Sequence, residues 1–307
     1  MRKDAHMYQE FFKLKELPFS LTPNPHFFCQ LKGHAEALNT LQFCIKSGEG
    51  FIKIVGEVGS GKTLLCRKLL ESLDDSYITT YIPNPDLTSI ELRKAFAREL
   101  GLNPAHWQDQ HELLTAIYQH LISLSAAGKK IVLLIDEAQA LSDESLEAVR
   151  LLTNLETERT KLIQVVLFGQ PELDERLNSP HLRQLKQRIS FSYKLPLLSR
   201  DELDIYLYHR LAMSGHTHDG LFTKKARNLL FNASHGIPRI VNILSHKALL
   251  AAYGRGDRQI NHKTMHLAIC DTETANIPKM SFLLKFALGI APFWLMAVTI
   301  YLARDIW

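Results

Sequence analysis

Gly56-Glu57-Val58-Gly59-Ser60-Gly61-Lys62-Thr63 decides how this 307-residue chain is read. Its spacing is G-x-x-x-x-G-K-[ST], the pattern of a phosphate-binding loop. Phe51-Ile52-Lys53-Ile54-Val55 precedes it as an apolar run expected to form a buried strand, and Leu64 to Leu70 follows with the composition of a helix. Strand, loop and helix is the context the pattern requires. The glycines let successive backbone N–H groups turn inward around a phosphate. The helix N-terminus adds the positive end of its dipole. All eight residues, from Gly56 to Thr63, are therefore candidate nucleotide contacts. Lys62 is expected to reach the β- and γ-phosphates, and the Thr63 hydroxyl to ligate Mg²⁺.

A second stretch completes the site. Ile131-Val132-Leu133-Leu134-Ile135 is apolar and rich in branched side chains, and Asp136-Glu137 follows it about 70 residues after the loop. Such a run suits a central parallel strand buried on both faces. Acids at its C-terminal end lie where ligands bind in open α/β sheets. Asp136 is expected to hold Mg²⁺, directly or through water, and Glu137 to polarise the attacking water.

Around these motifs the chain alternates strands and helices. Helices are expected over 33–48, 64–70, 88–100, 111–126 and 142–156, and strands over 77–82 and 162–170. Thr88-x-x-Glu91 reads as a capping box that opens one of those helices. Alternation of this kind predicts a doubly wound parallel sheet. From Pro196 onward the pattern is wholly helical, with a second capping box at Ser199-x-x-Glu202. Helices are expected there through Met213, over 223–234 and over 238–253. Ahead of the sheet, residues 8–25 are rich in aromatic residues and proline. Pro18, Pro23 and Pro25 forbid a long helix, so an extended arm packed on a neighbouring domain is expected.

Composition bounds the partners. The net charge is +4 and the pI about 8.8, a mildly basic balance that permits an anionic partner without demanding one. Cys29, Cys44, Cys66 and Cys270 contain no C-x-x-C pair, and read as reduced thiols rather than a zinc site or a disulfide framework. Residues 286–303 carry no charge. As a helix they would span about 27 Å, close to the hydrocarbon thickness of a bilayer. Lys285 and Arg304 bracket the stretch, and Tyr301 and Trp307 suit the far interface.

The two nucleotide motifs followed by a small helical region resemble an AAA+ ATPase. The resemblance narrows to the ExeA-type (general secretion pathway protein A) ATPases. It rests on Tyr8-x-x-Phe11-Phe12-x-Leu14, Pro18-Phe19-Ser20-Leu21-Thr22-Pro23-x-Pro25, Gly50-Phe51 and Asp136-Glu137-Ala138-Gln139. Phe168-Gly169-Gln170-Pro171-Glu172-Leu173 and Leu182-Arg183-Gln184-Leu185-x-Gln187-Arg188-Ile189 extend it, so that it covers roughly residues 1–270. Within that group, a chain ending soon after one apolar helix is similar to the ATPases of MSHA-type pilus biogenesis.

The resemblance implies further site residues. Gln170 takes the sensor position after the Asp136 strand, where it would orient water or read the γ-phosphate. Arg188 and Arg183 become candidates for an arginine finger reaching a neighbouring subunit, and Arg239 for a second sensor facing the nucleotide. It also implies a layout: an N-terminal arm (1–32), an α/β P-loop domain (33–195), a helical lid (196–270), a linker (271–282) and one transmembrane helix (283–303). Only residues 304–307 would then emerge beyond the membrane, so a cell-wall-binding domain is not expected.

The function expected on this basis is an ATPase using ATP and Mg²⁺, anchored in a bacterial inner membrane with its ATPase domain in the cytoplasm. It would form a homo-oligomer and act on integral membrane components of a type IV pilus or type II secretion machine. The alternative is a DNA-associated ATPase adaptor of the transposition type. The apolar tail and the lack of a concentrated basic arm argue against a nucleic-acid partner. A GTPase is disfavoured because no N-K-x-D appears.

Overall fold

The computed structural model describes residues 8–103, 109–156, 161–216, 220–273 and 275. Among them, five strands form one sheet: β1 (Phe51–Val55), β2 (Tyr77–Ile82), β3 (Lys130–Ile135), β4 (Ile163–Gly169) and β5 (Phe191–Lys194). Their order is β2-β3-β4-β1-β5, and every pairing is parallel. Helices α1 (Lys32–Lys46), α2 (Lys62–Ser72), α3 (Ser89–Glu99), α4 (Gln110–Ala126), α5 (Asp143–Leu152), α6 (Pro171–Leu177) and α7 (Arg183–Arg188) cover its two faces. The strand period of two sorts the side chains. Ile131, Leu133 and Ile135 of β3 pack with Leu92 and Phe96 of α3, Ile117 of α4 and Leu146 of α5. Val132 and Leu134 pack on the other face with Leu41 of α1 and Leu65 and Leu69 of α2.

Four further helices follow: α8 (Arg200–Met213), α9 (Lys224–Ser234), α10 (Pro238–Arg255) and α11 (His262–Cys270). They enclose a third core containing Leu203, Leu207, Leu230, Leu244 and Ile269. Tyr8, Phe12, Leu14 and Phe19 of the arm are buried in that same core. The Tyr8 hydroxyl lies 3.0 Å from His246 Nδ1 on α10, and Phe11 meets Tyr253 edge-on. Most of the arm's apolar side chains thus complete the lid, while Phe28 joins the core on the α1–α2 face of the sheet. Residues 8–31 are extended only in part, because residues 8–11 make a helical turn and Pro25–Phe27 a 3-10 turn.

Both expected capping boxes form, at Thr88 with Glu91 and at Ser199 with Glu202. The helix expected over 142–156 is shorter. It ends at Leu152, where the Thr153 hydroxyl turns back to donate to the Arg150 carbonyl at 2.6 Å. Glu156 instead pairs with Lys161 in an isolated antiparallel bridge. Four elements had no counterpart in the sequence reading: α6, α7, β5 and α11. Of these, α6 carried a start signal, Pro171 at its first position, whereas β5 and α7 are only four and six residues long. The apolar stretch 286–303 lies outside the described residues. No described helix is long and apolar enough to cross a membrane.

Candidate active site

β4 runs between β1 and β3, so three strand ends converge. Val55 registers with Gly169, and Leu167 with Ile135. The phosphate loop leaves β1, Asp136 and Glu137 leave β3, and Gln170 leaves β4. Strand order, which no motif encodes, brings Gln170 between the other two groups.

Two loop glycines are demanded by the backbone. Gly59 and Gly61 have φ of +79° and +103°, a region costly for any residue with a Cβ. A Cβ on Gly59 would also collide with Cβ of Arg239, and one on Gly61 would lie 2.9 Å from His34 Nε2. The two glycines therefore let the loop pack directly against Arg239 and His34. Lys62 is only 4% exposed. Its Nζ donates to the carbonyls of Gly56 at 2.8 Å and Glu57 at 3.0 Å. Burial pulls this ammonium below its usual pKa, against the opposing pull of Glu137 and Asp136. A phosphate would give it the charge partner that two carbonyls do not.

The Thr63 hydroxyl donates to Asp136 Oδ2 at 2.7 Å. Asp136 is 2% exposed, and its Oδ1 accepts the Glu137 N–H at 3.0 Å. Burial pushes its carboxyl up, and the bonds from Thr63 and Glu137 only partly offset that. Two hard oxygens side by side, one of them a buried carboxylate, fit the donor chemistry of Mg²⁺. Thr63 and Asp136 are the residues that would hold it.

Glu137 has left-handed backbone, with φ of +52°. Its Oε2 accepts from Gln139 Nε2 at 2.6 Å and from Gln170 Nε2 at 2.9 Å. The Gln170 N–H closes the triangle on Gln139 Oε1 at 3.0 Å. Burial alone would raise the Glu137 pKa. The two amide bonds and the Lys62 charge outweigh it, so the carboxylate titrates below its usual range and stays ionised. Gln139 was quoted in the sequence motif without a role; its proximity in sequence was the available signal.

The far wall of the cleft comes from the arm and the lid. Residues 20–24 line it together with Tyr206, Arg210, Arg239 and Asn242. Arg210 on α8 is buried. It donates to the carbonyls of Pro18 at 2.5 Å and Ser20 at 3.2 Å, and its guanidinium lies 4.4 Å from the Phe27 ring centroid. From the other side, Arg67 on α2 donates to the Pro23 carbonyl at 2.6 Å. One strap of arm is thereby held by both halves of the molecule, and neither arginine was singled out from sequence.

Arg239 lies in the first turn of α10, and its N–H donates to the Gly59 carbonyl at 3.2 Å. The expected second-sensor residue thus stands beside the phosphate loop. Arg183 and Arg188 do not join the site. Both lie on α7 and are exposed, and Arg188 Nη1 reaches the Thr153 carbonyl at 3.4 Å. Neither lines the cleft.

Residues 45–177 match the AAA domain family. The chain is 44% identical over 262 residues to general secretion pathway protein A of Aeromonas hydrophila. That match covers 85% of this chain and 48% of the relative, so the chain spans about half the length of the curated relative it matches. Among solved structures, Cdc6p from Pyrobaculum aerophilum aligns with a TM-score of 0.65 at 18% identity, covering 83% of this chain and 70% of that one. The Aeropyrum pernix ORC2 protein aligns with 0.60 at 17%, covering 86% and 73%. The Thermotoga maritima RuvB branch migration motor aligns with 0.51 at 16%, covering 80% and 70%. At these identities the likeness is one of fold.

Proposed function

Since the chain carries an AAA ATPase domain of the general secretion pathway protein A type, we propose that it binds and hydrolyses ATP to drive assembly of a secretion or type IV pilus machine at a bacterial inner membrane. The observation that carries the hydrolytic part is the chain of bonds from Thr63 to Asp136 and from Glu137 to Gln170. It sets an ionised carboxylate beside the phosphate loop, on the side where a γ-phosphate would lie.

In this reading the phosphate loop and Lys62 cradle the phosphates, and Mg²⁺ held at Thr63 and Asp136 would neutralise charge on the phosphate oxygens. Glu137 takes the proton of the attacking water, and Gln170 with Gln139 holds Glu137 in the orientation from which it does so. Arg239 carries the state of the phosphates to the lid. Arg188, or failing it Arg183, acts on the nucleotide of a neighbouring copy, which is why neither faces its own cleft. Tyr206, Arg210 and residues 20–24 surround the base and ribose.

Membrane attachment rests on residues 286–303, whose uncharged run is long enough to cross a bilayer as a helix. Anchoring would hold the ATPase in the cytoplasm beside integral membrane components and raise their effective concentration. The similarity to general secretion pathway protein A favours a secretion machine, and the MSHA-type resemblance favours a pilus.

The test uses the full-length chain and Glu137→Gln. The variant is expected to bind Mg–ATP as the wild type does and to lose about 10²- to 10⁴-fold in turnover, the usual worth of a positioned base. Affinity capture from membranes with that ATP-trapped variant is expected to enrich components of one machine. Near wild-type hydrolysis would remove Glu137 from the chemistry. Release of the full-length chain by carbonate washing would remove the membrane anchor.

A further inference from the structure

Beneath the phosphate loop lies a histidine that neither motif contains. His34 sits in the first turn of α1 and is buried. Its Nε2 is 3.0 Å from the carbonyl oxygen of Ser60, the residue between the two positive-φ glycines of the loop. A carbonyl can only accept, so Nε2 carries the proton and the ring is the donor. Burial lowers the pKa of the ring and keeps it neutral, against smaller opposing effects of the Ser60 bond and the Glu202 charge.

The ring is held from several directions. Phe28 meets it edge-on at 6.1 Å. The start of α1 is anchored through the neighbouring residue, because the Tyr193 hydroxyl of β5 donates to the Gly33 carbonyl at 3.1 Å. Gly33 itself packs so tightly against Pro196 that a Cβ would overlap that ring. The imidazole is thus a fixed donor presented to the loop from outside.

What it fixes follows from the geometry of the peptide bond. The Ser60–Gly61 unit is planar and trans, so its carbonyl and the following N–H point in opposite directions. With the Ser60 oxygen turned out toward His34, the Gly61 N–H points the opposite way, away from His34. The positive φ of Gly61 leaves that peptide free to rotate in isolation, since glycine populates both signs of φ with little preference. Gly61 also makes the contact possible: any Cβ there would lie 2.9 Å from His34 Nε2.

We propose that His34 is a positioning residue for nucleotide binding, which locks the Ser60–Gly61 peptide with its N–H aimed into the phosphate cradle. This rests on the nucleotide-binding reading of the loop and deepens it. Its own content is that preorganisation of the loop comes from α1, outside the motif. The donor is the essential feature, and not the bulk of the ring.

Three substitutions in the full-length chain separate donor from bulk. His34→Gln places an amide N–H near the position of Nε2. His34→Asn carries the same group one carbon short, and His34→Leu fills the space without a donor. Binding of Mg–ATP is measured by titration with a fluorescent ATP analogue, and thermal unfolding without nucleotide is followed in parallel. His34→Leu and His34→Asn are expected to weaken binding about tenfold, the order of effect of leaving one buried carbonyl unpaired. His34→Gln is expected to recover most of that loss. Without nucleotide, the Gln and Asn variants should melt alike.

Equal affinity for the Gln and Asn variants would overturn the proposal, even if His34→Leu fails to fold. So would wild-type binding by His34→Leu, or losses of affinity that merely follow losses of melting temperature. Lys62→Ala runs in the same titration. If the wild type binds and Lys62→Ala does not, a null result at His34 counts against His34 alone. If the wild type binds no ATP, the nucleotide reading falls and the His34 proposal with it.

Discussion

The phosphate side and the opposite side of the cleft are built in different ways. On the phosphate side, consecutive residues do most of the work. Gly56 to Thr63 is one loop, Asp136 and Glu137 are neighbours, and Gln170 needs only the next strand. On the other side, contacts join residues nearly two hundred or more positions apart, such as Arg210 with Pro18 and Tyr8 with His246. Reaction chemistry demands groups at fixed short range, which a strand end and a tight loop provide. The opposite wall of the cleft is made by packing residues 20–24 of the arm beside α8 and α10. The contrast teaches that the lid is incomplete without the arm, because Tyr8, Phe12 and Phe19 are part of its core.

Three substitutions break or sharpen that contrast, beginning with the largest effect. Arg188→Ala should lower turnover in the assembled form by about 10³-fold, as loss of an arginine finger does, while nucleotide binding by the isolated chain is preserved. Mixing Arg188→Ala copies with Lys62→Ala copies should restore activity, since each supplies what the other lacks. If no mixture recovers and Arg183→Ala is the more damaging change, the finger is Arg183. If both arginine variants turn over normally, the α/β half contains all of its own chemistry.

Arg210→Ala tests the other half. It removes both bonds to the arm and the contact with Phe27, leaving the Pro18 and Ser20 carbonyls without this donor. Nucleotide affinity should fall about tenfold, with turnover at saturating ATP close to wild type. A fall in turnover at unchanged affinity would place Arg210 in the chemistry and erase the division between the two sides.

The smallest effect is expected at Gln170→Ala, and its signature is a pH shift. Glu137 titrates below its usual range because two amides and Lys62 overcome the cost of burial. As a base it must be ionised, so turnover persists as pH falls until that lowered pKa is reached. Removing one amide raises the pKa, and the acid limb of the turnover profile should move to higher pH. An unmoved limb would show that Gln170 does not act through Glu137.

Much of the phosphate half was legible in the sequence because its signals are short. Five-residue apolar runs, two capping boxes and a glycine pattern each act over one turn or one strand. The helix ending at Leu152 escaped, since its termination depends on a Thr153 hydroxyl choosing a local carbonyl over another helical turn. The arm's aromatic residues announced burial without naming the surface that buries them. Arg67, Arg210 and His34 carried no local mark at all, because a lone cation or imidazole reads as solvent-facing until its partner is known.

By itself the sequence determined the residue types at the loop and the strand end: glycines at 59 and 61, where φ is positive, Lys62 and Thr63 after them, and the Asp136-Glu137 pair. Those properties belong to residue types at fixed spacing and need no distant neighbour. Tertiary structure decided which groups meet. Inserting β4 between β1 and β3 brought Gln170 to Glu137, and packing α1 beneath the loop turned the Ser60 carbonyl to His34. Folding the arm onto the lid set residues 20–24 in the wall of the cleft. Such pairings follow from the order in which strands and helices bury their apolar faces, and that order is a property of the whole chain.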